Sequence, residues 1–209
     1  HAVTFAAGLA KMGKIPVFAV YSTFLQRAYD QIIHDVSLQK LKVVFAVDRA
    51  GLTGEDGETH QGLFDIPMLL PIPEINVFSP TTAGELELFF KRAIDIEKYS
   101  SFVRYPKGDC SVPDDYPFVD SDDNWGFIDN NSSVAIISYG RQVVDVVCAV
   151  KNKKIDIFKL NLINKFSDDM LERLKSYTTL VFVEECYENG GVGSMLECCL
   201  VKCGFKGKF

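Results

Sequence analysis

The sequence predicts an α/β protein of two domains, each a mostly parallel sheet flanked by helices. Three observations lead there. Short, continuously apolar runs such as VFAVY, VVFAV and VAIISY are bounded by turn residues, as strands buried on both faces require. These runs alternate with stretches of helical period, so successive strands need crossover connections and pair in parallel. A polar tract rich in Pro, Asp, Asn and Ser then separates one such series from a second.

The first residues read as part of a helix, residues 15–21 as a buried strand and 23–39 as a helix. Strands follow at 43–47, 75–78 and 102–105, with a helix over 83–97. Residues 106–131 lack periodicity and read as a linker, with Trp125 anchoring it against a domain. The βα pattern resumes with strands at 134–139, 155–158 and 180–184 and helices at 142–151, 167–176 and 193–203. Ser167 has the chemistry of an N-cap, with Asp168 and Asp169 in the first turn. The expected domains are 1–105 and 132–209, the second incomplete at its end.

A length of 209 residues with 47% hydrophobic content suffices for a sizeable core. The net charge of −6 argues against a nucleic-acid footprint. No apolar stretch reaches the roughly 20 residues a membrane span needs, and HAVTFAAGLAKMGK lacks the order of a signal peptide. The six cysteines fit no disulfide framework, and Cys198, Cys199 and Cys203 have neither a CxxC pair nor a nearby histidine, so they read as buried, reduced thiols of an intracellular protein. No metal ligands are assigned.

The most informative segment is DRAGLTGEDGETHQG, residues 48–62. It follows a strand and therefore lies at the carboxyl edge of the sheet, where α/β sites gather. The preceding segment, YSTFLQRAYDQ, ends a neighbouring strand at Tyr21 and opens a helix whose Phe24 and Arg27 share a face. Two strand ends thus deliver aromatics, arginines, an aspartate and a histidine to one edge. That set suits a flat heterocycle together with a phosphorylated or carboxylated substrate. Arg104 reads as a strand-end ion pair, His34 as a partly buried helix histidine, and GGVGS at 190–194 as a strand-to-helix turn.

YSTFLQRAYDQ, DRAGLTGEDGETHQG and VRYPKG, in this order and preceded by HAVTFAAGLA, resemble the 1-deoxy-D-xylulose-5-phosphate synthase family over most of residues 1–108. ISYG, VEE and GGVGS resemble that family's C-terminal domain more loosely. The resemblance implies a pyrimidine-binding domain followed by a C-terminal domain of the transketolase superfamily. It implies a transferase that condenses pyruvate with D-glyceraldehyde 3-phosphate and releases carbon dioxide, with thiamine diphosphate and Mg²⁺ as cofactors. Phe24 matches the aromatic that packs on the aminopyrimidine, and Tyr21 and Arg27 match residues lining the substrate side. Arg49 matches a phosphate-binding arginine. His60 and Asp56 match catalytic residues of the pocket, and imidazole is suited to proton exchange near neutral pH. Lys107 stands where the family usually has a second phosphate-binding arginine, keeping the charge but losing the bidentate fork.

The same resemblance implies a catalytic glutamate two positions before His1 and a diphosphate- and metal-binding domain elsewhere. GEDGE at 54–58 aligns with the substrate loop rather than with that domain's metal motif. The chain alone is therefore expected to be inactive. A homodimer and a cytoplasmic location, or an organelle stroma in a plastid-bearing source, are further implications. The alternatives are a transketolase, the β subunit of a 2-oxo-acid dehydrogenase, or a non-catalytic module of this fold. The STFLQRAYDQ and DRAG…THQG segments and the intact Arg49, Asp56 and His60 weigh against them.

Overall fold

The computed structural model describes residues 1–209. The first sheet holds β1 (Val17–Tyr21), β2 (Val44–Asp48), β3 (Ile75–Phe78) and β4 (Ser100–Arg104) in the order β1-β2-β4-β3. All its pairings are parallel. The second holds β5 (Trp125–Ile128), β6 (Val134–Tyr139), β7 (Asp156–Leu160) and β8 (Thr179–Val183) in the order β5-β7-β6-β8. Here β6 pairs in parallel with β7 and β8, and β5 runs antiparallel to β7. Helices α1 (Ala2–Lys11), α3 (Asp65–Leu69) and α4 (Ala83–Asp95) flank the first sheet. Helices α5 (Gln142–Val150), α6 (Asp168–Leu174) and α7 (Val192–Lys202) flank the second.

The apolar run Val44–Val47 of β2 is buried throughout, and so is all of β7, as two covered faces demand. β1, at the sheet margin, is partly exposed. β3 is also a margin strand, yet it is fully buried because the second domain covers its free edge. Ile163 N–H donates to Val77 O at 2.9 Å, and Ser79 N–H to Asn161 O at 2.9 Å. The Asn164 carboxamide accepts from Val77 N–H at 2.9 Å and donates to Ile75 O at 3.0 Å, imitating a strand. A buried ion pair, Lys159 with Glu85, spans the same boundary. One apolar cluster runs through both halves, from Phe45, Val77 and Phe102 to Phe158, Ile163 and Leu196.

Several expectations need correction. The linker is irregular only to residue 124, because Trp125–Ile128 joins the second sheet and Trp125 stacks on Phe158 with ring centroids 5.7 Å apart. Residues 22–37, termed α2, are helical throughout but not uniformly α. They pass through a 3₁₀ turn at Gln26–Ala28 and widen to a π-helix at Ile32–Ser37, where Ile32, Ile33 and Val36 crowd successive turns. His34 is exposed, since the buried stripe of α2 runs through Ile32 and Val36. It pairs with Asp30 at 3.1 Å. Cys198 and Cys203 are exposed rather than buried, because α7 turns Val192, Leu196 and Leu200 inward. Cys110 and Cys148 are exposed as well. Ser167 occupies the N-cap of α6 with extended dihedrals, but its hydroxyl makes no capping bond.

Candidate active site at the carboxyl edge of the first sheet

β1 and β2 pair with Tyr21 opposite Asp48, so the two segments singled out in the sequence leave the sheet side by side. Arg49 turns at once into the left-handed region, with φ of 58°. A non-glycine residue held there is costly and marks a backbone fixed by its surroundings. Ala50 N–H bonds Tyr105 O at 3.0 Å, which ties the turn to the end of β4 and hence to Lys107. Gly51 and Gly62 exchange backbone hydrogen bonds of 2.9 and 2.8 Å and close the loop between them. Both positions need glycine. Gly51 has φ of 82°, and a side-chain carbon on Gly62 would lie 2.3 Å from Arg49 O.

Within the loop, Thr53 Oγ1 donates to His60 O at 3.1 Å. The Gln61 carboxamide accepts from Thr53 N–H and donates to Gly57 O, both at 2.8 Å. Thr23 Oγ1 donates to Thr59 O at 3.0 Å and fastens the loop to α2. The loop is thus braced internally and at its rim.

The predicted residues converge. The Arg49 guanidinium lies 4.1 Å from the Tyr21 ring centroid, and its Nη2 donates to the Tyr21 hydroxyl at 3.1 Å. Its Nη1 bonds Asp56, whose other oxygen takes a 2.5 Å bond from Lys107 Nζ. Asp56 therefore bridges both cations. The bond from Lys107 holds its carboxyl below the usual aspartate range; burial opposes this and Arg49 adds to it. For Arg49, burial disfavours the charge, but Asp56 and Tyr21 outweigh burial and the guanidinium stays protonated. Phe24 stacks on Tyr21 at 5.8 Å and meets the edge of His60 at 5.4 Å. Arg27, exposed, sits 5.5 Å from the Phe24 centroid. Phe24 itself is 37% exposed, so it offers an apolar surface to an incoming flat group. His60 Nδ1 is 2.9 Å from Thr59 Oγ1.

Beside this cluster a cavity of about 310 Å³ is lined by Asp48, Arg49, Thr81, Tyr105 and Lys107 among others. Arg49 Nε is buried without a partner, which leaves the guanidinium with donor capacity to spare. The residues present therefore fit an anion and a flat ring. No three or more His, Cys, Asp or Glu side chains are grouped so that they could hold a metal ion.

Other singled-out residues are structural. Arg104 forms a buried pair with Asp65 at 2.9 Å, and Asp65 keeps its guanidinium charged against the effect of burial. The turn before α7 does bind an anion, but one of the chain's own: Glu184 accepts from Val192 N–H at 3.1 Å and Gly193 N–H at 3.0 Å. Tyr139 donates to the same carboxylate at 2.7 Å, and burial pushes its phenol well above the usual range. Cys186, pushed up to about 12 by burial and Glu184, is no nucleophile at neutral pH. Sequence reasoning missed Arg141 and Glu185, which reach this loop from the second domain. Glu185 closes the VEE segment and Arg141 follows ISYG, but neither segment announces a contact with the first domain.

A parallel sheet whose first two strand ends carry an aromatic pair, an arginine and an acidic–histidine loop, followed by a second α/β unit, belongs to the transketolase class. Over residues 1–112 the chain matches the family model described as "Transketolase, pyrimidine binding domain", and it belongs to that family. It is 42% identical over 205 residues to the 1-deoxy-D-xylulose-5-phosphate synthase of Clostridium acetobutylicum, an alignment covering 94% of this chain and 33% of that protein. It is 43% identical over 207 residues to the same synthase of Caldanaerobacter subterraneus subsp. tengcongensis, with 94% and 32% covered. The chain thus spans about a third of the length of these relatives. Among solved structures, a split-gene transketolase described as an inactive β4 tetramer superposes with a TM-score of 0.82 at 23% identity, covering 98% of this chain and 68% of that one. The transketolase of Campylobacter jejuni gives 0.71 at 15% identity, covering 95% and 38%. At such identities the structures speak for the fold alone. No helix is long and apolar enough to cross a membrane.

Proposed function

We propose that this chain is the pyrimidine- and substrate-lining part of a thiamine-diphosphate-dependent transferase that condenses pyruvate with D-glyceraldehyde 3-phosphate, giving 1-deoxy-D-xylulose 5-phosphate and carbon dioxide. The observation that carries this reading is the cluster of Tyr21, Phe24, Arg49, Asp56, His60 and Lys107 at one sheet edge, in a chain over 40% identical to such synthases. We assign residues 1–105 to the pyrimidine-binding domain and 125–209 to the C-terminal-like domain.

Thiamine diphosphate, when bound, supplies the electron sink for the loss of carbon dioxide. The chain's own groups bind and orient. The exposed surface of Phe24 packs on the cofactor's aminopyrimidine, with Tyr21 backing the ring. Arg49 and Lys107 take the triose phosphate, Arg49 through a planar fork and Lys107 as a point charge. Asp56 must then share or yield its two cations, whose net positive charge of one beside it favours an incoming anion. His60, beside Phe24, is within reach of groups bound against that ring and exchanges protons with the reacting hydroxyl or carbonyl oxygen. Arg27 lines the mouth. The diphosphate and its Mg²⁺ require ligands from the diphosphate-binding domain, and the working assembly is a homodimer.

The test is product formation by the complete protein that carries this chain. With pyruvate and D-glyceraldehyde 3-phosphate it should release carbon dioxide and 1-deoxy-D-xylulose 5-phosphate; failure to form that product from those substrates would sink the reading. The chain alone should be inactive. In calorimetry with thiamine diphosphate and Mg²⁺ it should show no binding near or below about 1 µM, and tight binding would mean the chain holds a diphosphate site of its own.

A further inference from the structure

We infer that Arg141 and Glu185 of the second domain are positioning residues for the loop that carries Asp56 and His60. The inference deepens the proposed function and rests on it for its kinetic consequences. The two residues follow β6 and β8, which are neighbours in the second sheet, so their side chains emerge together at its carboxyl edge. Arg141 Nε and Nη2 bond the two Glu185 carboxylate oxygens at 3.1 and 2.5 Å, a bidentate pair. The same Nη2 donates to Leu52 O at 2.7 Å, inside the loop of the other domain.

Glu185 meets the loop at Gly51, one of the two glycines that close it. A side-chain carbon on Gly51 would stand 2.2 Å from Glu185 Oε2, so the carboxylate lies directly on the Gly51 backbone. The next residues continue the contact: Cys186 Sγ approaches Leu63 O at 3.7 Å, and Tyr187 packs on Phe64 with centroids 4.8 Å apart. Both arms of the loop, at 51–52 and at 63–64, are therefore held from the second domain. None of these groups touches Asp56 or His60 directly. They fix the hinge from which those side chains project, and a displacement of about 1 Å at a reacting group can cost on the order of 10²-fold in rate.

The experiment uses the complete protein with Arg141→Met, which keeps the aliphatic stem and removes all three hydrogen bonds, and with Arg141→Lys as the conservative variant. Arg141 is partly exposed, and urea denaturation of the variant checks that it is folded under the assay conditions. Arg141→Met should lower kcat/KM roughly 10- to 100-fold, with the affinity for thiamine diphosphate unchanged and partial rescue by lysine. In a background carrying both His60→Ala and Asp56→Asn the same substitution should change kcat/KM less than about twofold, because the groups it positions are gone. Hydrogen exchange at the amides of residues 51–62 should quicken in Arg141→Met. Unchanged exchange there, or an equal loss of rate in both backgrounds, would overturn the inference. The exchange measurement needs no turnover, so a complete protein that makes no 1-deoxy-D-xylulose 5-phosphate would refute the proposed function while still deciding whether the clamp exists.

Discussion

At the scale of single residues, the proposed function divides the site into groups that bind and groups that move protons, and kinetics separates them. Arg49 supplies a charge-assisted fork, so Arg49→Ala in the complete protein should raise the KM for D-glyceraldehyde 3-phosphate by roughly 10- to 150-fold, the equivalent of about 1.5–3 kcal/mol. His60→Ala should instead depress kcat by roughly 10²–10⁴-fold. Wild-type constants in both variants would return this loop to a solvated turn. Asp56 makes a third case. Its folded pKa lies below its unfolded value, so its pairing with Lys107 and Arg49 is fully present above the unfolded value of about 3.9 and is lost as pH falls through the lower folded one. An acid limb in kcat/KM between about pH 5 and 7 therefore belongs to another group, and Asp56→Asn should leave its midpoint where it is. A midpoint that moves in a pH–rate profile of that variant would reassign the limb to Asp56. The convergence of Tyr21, Phe24 and Arg49 was legible because the sequence sets them at or just after the ends of two strands that pair. Arg141 and Glu185 were not, since nothing along the chain announces that the carboxyl edges of two sheets face each other.

At the scale of elements, helix starts show how sequence signals can be met or left unused. Thr82 caps α4 by accepting from Glu85 N–H at 3.1 Å, and the Glu85 carboxylate returns to Thr81 N–H at 2.9 Å, a shifted form of the reciprocal capping arrangement. Ser167 stands at the equivalent place in α6, yet its hydroxyl is buried without a partner. Thr82→Ala should thus cost about 0.5–2 kcal/mol in urea denaturation, whereas Ser167→Ala should cost close to nothing, because an unsatisfied buried hydroxyl contributes no bond to lose. Equal losses would mean that Ser167 caps in solution. β3 and β6 were read with their exact bounds, whereas in the fully buried β4 and β7 the polar residues Ser100, Ser101 and Lys159 shifted the reading by two residues. β5 was hidden altogether: Trp125–Ile128 is four residues long, lies in a tract of Asp, Asn and Ser, and becomes a strand only because β7 offers it an antiparallel edge.

At the scale of the whole molecule, the sequence divides more sharply than the structure does. The compositional break at residues 106–131 suggests two units on a tether, yet Asp120 accepts from Thr82 Oγ1 and Asp122 O from Arg92, both at 2.5 Å, so the tether is fastened to the first domain. Asn161 and Asn164 complete the margin of β3 from the second. Lys159 and Glu85, at 2% and 0% side-chain exposure, close an ion pair between them. Such a boundary cannot open without stripping Ile75, Val77 and Phe78 of their cover. The two domains should therefore unfold together. Trp125 is the sole tryptophan and belongs to the second sheet, so its fluorescence follows that domain, while far-ultraviolet circular dichroism follows both. In urea the two signals should trace one coincident transition. Lys159→Met leaves the Glu85 carboxylate buried and unpaired, which should cost about 3–5 kcal/mol and move both traces by the same amount. A fluorescence transition that separates from the circular dichroism, or a Lys159→Met effect confined to one of them, would mean that the domains are independent and that the clamp on the 51–62 loop lacks the rigid support its action requires.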